Sequence, residues 1–154
     1  MKNLYLDIYN NLIRLTRNKN LYNNKELDTF YDRMIIFFFH LSFLLKENKD
    51  KENSVDLQEF FDFCIRQIEL SIREIGYGDA TINKKMKDYI NLLYSIIDKV
   101  HNWETIDDKE KSEILKKYID ISDNSQSYID YFENFRDFLI KNSFKNLSKH
   151  IISF

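Results

Sequence analysis

Apolar side chains recur along this chain at helical spacing, and no segment shows the two-residue alternation of a half-buried strand. Leu4, Ile8, Leu12 and Leu15 form one stripe, which predicts a helix over Asn3–Arg17. Asn18–Leu27 is polar and reads as a loop. A second helix begins with Asp28 or Thr29 as N-cap and runs to about Glu47. From Met34 onward it is apolar on nearly every side, which predicts the central, most buried helix. Its apolar run, Met34–Leu45, holds His40 and Ser42, and at about 12 residues it is too short for the ~20 that span a bilayer. Lys46–Asn53 has no apolar residue and separates this helix from the next.

Ser54 is a candidate N-cap for a third helix over Val55–Ile75, with Leu57, Phe61, Cys64, Ile68, Ile72 and Ile75 as its core stripe. Gly76 follows, where a left-handed cap suits glycine. A fourth helix is expected over about Asn83–Asn102, with Met86, Ile90, Leu93, Ile97 and Val100 facing inward. Thr105 and Asp108 resemble a capping box and predict a short fifth helix ending near Ile121. A sixth covers about Ser127–His150, burying Tyr128, Phe132, Phe135, Leu139 and Leu147. The reading is an all-α bundle of five to six helices, one domain spanning residues 1–154.

Composition supports this. Proline is absent and glycine occurs twice, although β-rich folds use both heavily in their turns. The 13 Phe and 10 Tyr, with abundant Asn, Lys and Ile, fit an AT-rich coding bias more than a special chemistry. A chain of 154 residues buries roughly 68–70% of its unfolded surface, so its core needs no disulfide or metal. The formal charge of −2 gives no global field to draw in DNA or an anionic membrane. The one cysteine, Cys64, excludes an internal disulfide, and beside Phe63 and Ile65 it reads as a small core hydrophobe. Met1–Arg17 is amphipathic and lacks the apolar run of a secretory signal.

Catalytic and metal signatures are missing from the sequence. His40, His101 and His150 have no second ligand at metal spacing, and the HExxH, CxxC and phosphate-loop patterns do not occur. No cofactor is expected. His40 invites a catalytic reading with Asp28 or Asp32 as its orienting carboxylate; as a buried histidine bonded to a backbone carbonyl or a neighbouring helix it needs none.

Ser71–Lys87 is the informative stretch. Both glycines lie here, Gly76 and Gly78, so special backbone angles are expected at both. Asp79 can bond backbone N–H groups in the turn or cap the next helix. Lys84, Lys85 and Lys87 then fall in about the first turn of the fourth helix, where the dipole disfavours cations by roughly 0.3–1 kcal/mol each. They are either a solvated face or an anion-binding one. The third helix adds a second apolar stripe, Phe60, Phe63 and Leu70, beside its core stripe. It is a candidate partner surface unless the helix is buried on both sides. Tyr131 and Phe138 on the last helix make a second such row.

Two blocks resemble the ubiquinol–cytochrome c chaperone family. Ile72-Arg73-Glu74-Ile75-Gly76-Tyr77-Gly78-Asp79, followed by Lys84-Lys85-Met86-Lys87, is similar to that family's L-R-E-M-G-V-G-D turn and Lys-rich helix start. Asp28-Thr29-Phe30-Tyr31-Asp32-Arg33, ahead of the apolar helix with His40, resembles its D-T-x-x-x-R segment. The resemblance extends weakly over about residues 5–140 and fades after Val100; Asn83 stands where members carry proline.

The resemblance implies a non-enzymatic, all-α assembly factor of the cytochrome bc1 complex that binds newly made cytochrome b. It further implies a small helical partner protein, the ribosome near its tunnel exit, and peripheral membrane contact, with no DNA. The expected place is the cytoplasmic side of a bacterial inner membrane, or the mitochondrial matrix in a eukaryote. Arg73, Gly76, Gly78, Asp79, Lys84, Lys85, Lys87, Phe60, Phe63 and Leu70 are the expected partner-binding residues. Two alternatives stand beside it. One is a helical interaction or anion-binding module, for ribosomal RNA or lipid headgroups, with no chaperone role. The other is an enzyme centred on His40 or on Arg73–Asp79.

Overall fold

Six α-helices and two 3-10 turns make up the regular structure among the described residues of the computed structural model, which are 2–18, 21, 29–49, 51, 54–121 and 124–149. The helices are α1 (Lys2–Thr16), α2 (Phe30–Asn48), α3 (Ser54–Ile75), α4 (Asp79–Val100), α5 (Asp108–Tyr118) and α6 (Ser125–Lys141). The all-α reading holds. Asp28 and His150 lie outside the described residues.

Thr29 caps α2: its Oγ1 accepts from the Asp32 N–H at 3.1 Å and donates to the Asp32 carboxylate at 2.7 Å. One orphan amide is thus satisfied where the helix begins. Beyond this cap every residue from Met34 to Leu44 is buried, so α2 is the central helix. Its partners are α1, α4 and α6. Phe39 and Phe43 meet Phe132 of α6 at 5.6 and 5.3 Å, and Phe43 meets Trp103 edge-on at 5.2 Å. Such ring pairs add about 0.5–1.5 kcal/mol each beyond area burial.

The predicted helix edges shift in three places. Helix α4 begins at Asp79, with Gly78 as N-cap, and not at Asn83. Helix α5 is capped by Asp107, whose carboxylate accepts from the Glu110 N–H at 2.9 Å; Thr105 sits instead in the 3-10 turn Trp103–Thr105. Helix α6 stops at Lys141 and does not continue to His150. Its end is held from outside: Lys51, between α2 and α3, donates to the Leu139 and Ile140 carbonyls at 2.8 and 2.5 Å. Asn142 donates to the Phe138 carbonyl at 2.8 Å and turns the backbone extended. The chain then folds back, and the 3-10 turn Lys145–Ser148 lies on α1, where Asn11 donates to the Leu147 carbonyl at 2.6 Å.

That return sets the rotation of α3. Phe144 is buried against Phe60 at 5.4 Å, with Tyr5 5.8 Å from Phe60. Phe60 is therefore a core residue, and the expectation that it belongs to an exposed stripe is corrected. Phe61, predicted inward, is half-buried and stacks on Tyr94 of α4 at 5.9 Å; Ile75 is exposed. In α4 it is likewise Ile96, and not Ile97, that is fully buried.

Candidate functional site

The chain leaves α3 through one left-handed residue. Gly76 has φ +99°, a region L side chains rarely enter, and its N–H bonds the Arg73 carbonyl at 3.0 Å. Gly78 differs from expectation: at φ −71° and ψ 161° it is ordinary extended backbone open to any residue. Its carbonyl accepts from the Ile82 N–H at 2.9 Å, opening α4. Arg73 spans the corner, donating to Asp79 at 3.1 Å and lying 3.6 Å from Glu69. Asp79 stands in the first turn of α4, the favourable end for a carboxylate.

Because α4 starts four residues early, Lys84, Lys85 and Lys87 are its sixth, seventh and ninth residues. They lie past the first turn, so the expected opposition to the helix dipole is corrected. Lys85 sits 4.7 Å above the Tyr77 ring; Lys84 and Lys87 are exposed and make no ion pair among the described residues. Leu70 and Ile75 of α3 and Tyr77 of the turn are 46%, 52% and 42% exposed. Phe63 is half-buried, its ring near Tyr5 and Tyr9 at 6.1 and 6.2 Å. Of the residues expected to bind a partner, the corner thus gathers Arg73, Gly76, Gly78, Asp79 and the three lysines; Leu70 is exposed six residues before Gly76 on α3, and Phe60 and Phe63 lie farther back on that helix.

The start of α2 lies near the last turns of α3, since Phe30 and Arg33 line one slot with Ile68 and Ser71. Phe30 and Tyr31 are exposed there. Behind Phe30 a slot of about 330 Å³ runs between α1, α2 and α3, with Arg17 and Arg33 on its lining. Neither the slot nor the exposure of Ile75 and Tyr77 was expected. The slot depends on how three helices are spaced, which periodicity does not report; Arg33 within its sequence block was the one available signal.

The histidine at the centre of α2 is a packing element. Nδ1 of His40 lies 2.8 Å from the Ile36 carbonyl, which can only accept, so Nδ1 carries the proton. Nε2 therefore accepts from the Tyr131 hydroxyl at 2.6 Å. Burial lowers its pKa to about 4, so the ring is neutral near pH 7. Asp32 bonds Thr29 and does not orient this ring, and Tyr131, half-buried, spends its hydroxyl here. Burial also pushes the Cys64 thiol well above its usual value, which suits its inward position. Among the described residues no group of three or more His, Cys, Asp or Glu could hold a metal ion, and no helix is long and apolar enough to cross a membrane.

Both quoted blocks, Asp28–Arg33 and Ile72–Asp79, fall inside the stretch that matches a family model. That model, described as ubiquinol-cytochrome C chaperone, matches residues 25–118, about three-fifths of the chain. The chain belongs to the ubiquinol–cytochrome c chaperone family. The match begins later than residue 5 and runs past Val100 to the end of α5, so α1 and α6 lie outside it. Within the family-matched part, α2 through α5, the most exposed apolar side chains include Ile75, Tyr77 and Tyr94. No curated protein and no solved structure matches the chain.

Proposed function

We propose that this member of the chaperone family serves assembly of the ubiquinol–cytochrome c reductase, and that it does so by holding a newly made subunit on its surface, without catalysis. Family membership over residues 25–118 carries the reading. The α3–α4 corner supports it: Ile75 and Tyr77 offer exposed apolar contact, Lys85 lies over the Tyr77 ring, and Leu70 is exposed earlier on α3. Short-lived binding of an apolar segment needs a modest exposed patch with a charged rim, since a large one would bind the chain to itself. Cytochrome b is the client in this proposal. The protein works at the membrane surface, on the cytoplasmic face of a bacterial inner membrane or in the mitochondrial matrix, with a small helical partner and the ribosome as further contacts. The exposed ammonium groups of Lys84 and Lys87, which make no ion pair among the described residues, favour the last of these, a salt-dependent contact with RNA.

Affinity capture of the full chain from its own cells tests the proposal. The wild type should recover reductase subunits, cytochrome b among them. The triple variant Leu70→Ser, Ile75→Ser, Tyr77→Ser should recover less than a tenth as much while folding normally. Equal recovery would reject this surface, and no reductase subunit with the wild type would reject the reading itself.

A further inference from the structure

The return after α6 is seated on the bundle the way a bound peptide would be. Past the end of α6, Asn142 is extended and Ser143 exposed, and only then does the chain touch down. Two side chains anchor it, Phe144 and Leu147, buried and three residues apart. Between and beyond them Lys145, Asn146 and Lys149 are exposed. That is the pattern of a short helical turn laid into a groove, inward at i and i+3 and outward elsewhere. Its backbone bonds are local: Asn146 donates to the Ser143 carbonyl and Leu147 to the Phe144 carbonyl, each at 3.1 Å. Asn11 of α1 adds a bond from outside the segment, to the Leu147 carbonyl at 2.6 Å.

The ground beneath it is aromatic, with an acidic edge. Phe144 meets Phe60 at 5.4 Å and Tyr5 at 6.4 Å, and Phe63 adjoins Tyr5 at 6.1 Å. Lifting the return would uncover Phe60 beside the half-buried Phe63, the stripe of α3 that the sequence offers as a partner surface. The Tyr5 hydroxyl donates to the Glu59 carboxylate at 2.9 Å, and burial, with Glu59 and Asp56 alongside, pushes this phenol up to about 12. Two carboxylates of α3 thus edge the groove, and the segment that fills it brings Lys145 and Lys149. Apolar anchors supply affinity, and opposite charges at the edge select the partner. A four-residue turn on an extended hinge opens more readily than the bundle unfolds. We propose that the groove between α1 and α3 is a docking site for a short cationic segment of another protein, with an aromatic and an aliphatic side chain three residues apart, and that the chain's own residues 144–147 occupy it as an autoinhibitory plug. This inference is independent of the chaperone reading, and its test uses no reductase subunit.

Fluorescence anisotropy of a labelled peptide with the sequence of residues 142–149, titrated with the full chain, tests it. The plug variant, Phe144→Ser with Leu147→Ser, should bind the peptide saturably and at least about tenfold tighter than the wild type, whose groove is filled. A peptide with serine in place of both anchors should bind neither. Asp56→Asn with Glu59→Gln, added to the plug variant, keeps an acceptor for Tyr5, removes both charges and should weaken binding by about threefold or more. Asn11→Ala keeps both anchors and removes only the bond to the Leu147 carbonyl, so it should raise the affinity of the otherwise unchanged chain about threefold. Should the plug variant fail to fold by circular dichroism, Asn11→Ala decides. No saturable binding by the folded plug variant, no gain with Asn11→Ala, no loss with the two neutralised carboxylates, or equal binding of the anchorless peptide would overturn the proposal. So would a wild type that is dimeric by light scattering and monomeric as the plug variant, since that would mark exchange of the turn between copies and not docking of a partner.

Discussion

At the end of the bundle where α2 stops, charges answer one another. Lys46 pairs with Glu104 and, at 3.8 Å, with Glu47, which accepts from Arg136 of α6 at 3.0 Å. Glu133 accepts from Lys111 at 2.6 Å and from the indole N–H of buried Trp103 at 3.0 Å. At the opposite end, where α2 and α4 begin, Lys84 and Lys87 point to water and Leu70, Ile75 and Tyr77 are uncovered. The first end ties four segments of chain together; at the second, one ion pair among the described residues joins α3 to α4, Arg73–Asp79, between exposed side chains, worth at most about 1 kcal/mol. Side chains at the closed end are therefore expected to set stability, and those at the open end to leave it nearly untouched while carrying contact with partners.

The sharpest way to break that contrast is Trp103→Ala. The indole is fully buried, packs edge-on against Phe43 and satisfies Glu133. Removal leaves a cavity and takes a donor from a carboxylate already shared with Lys111, so a loss of about 3–5 kcal/mol in unfolding free energy is expected by urea titration. A loss under about 1 kcal/mol would show that the closed end is not what holds α2, α5 and α6 together.

Acid sharpens the same contrast at the centre of α2. His40 has a folded pKa of about 4 against 6.5 for the free side chain, its burial opposing the charged form. Between those values the unfolded chain binds the proton and the folded chain does not, so stability falls as pH drops from about 6.5 toward 4. The loss from this group is up to about 3 kcal/mol. His40→Gln should flatten the urea midpoint over that window. An unchanged slope would assign the acid sensitivity to carboxylates alone.

How far the fold was legible follows the same division. Helix α2 could be read because a run apolar on all sides has one place to go, and Gly76 because a chain so poor in glycine uses it where φ is positive. The rotation of α3 could not. Phe60 and Phe61 are neighbours about 100° apart on the helix, and Phe144 decides between them by arriving from the far end of the chain. It arrives because α6 breaks at Asn142 with no glycine or proline to announce it, its last carbonyls held by Lys51 from 88 residues away in sequence. The missed break and the misplaced Phe60 are one error. The start of α4 was hidden for a local reason: a glycine N-cap has no side chain to betray it.

The smallest effect is also the finest test of the corner. Gly76 and Gly78 both have open space where a Cβ would go, so sterics with neighbours do not separate them; backbone angle does. Gly76→Ala forces an L side chain to φ +99° and should cost about 1–2 kcal/mol. At Gly78 two modest terms oppose each other. Alanine stiffens the unfolded chain, a gain of about 0.4–1 kcal/mol at a permitted angle. It is also a poorer N-cap than glycine by a similar amount. Their sum should lie within about 0.5 kcal/mol of zero, and Gly78→Ser, which can accept from the first amides of α4, should come out slightly stabilising. Equal, large costs at both glycines would mean that the corner is rigid through the length of Gly76–Asp79. Unequal costs in the order given mean that one residue makes the turn, leaving Tyr77 and the start of α4 open to contact with a partner.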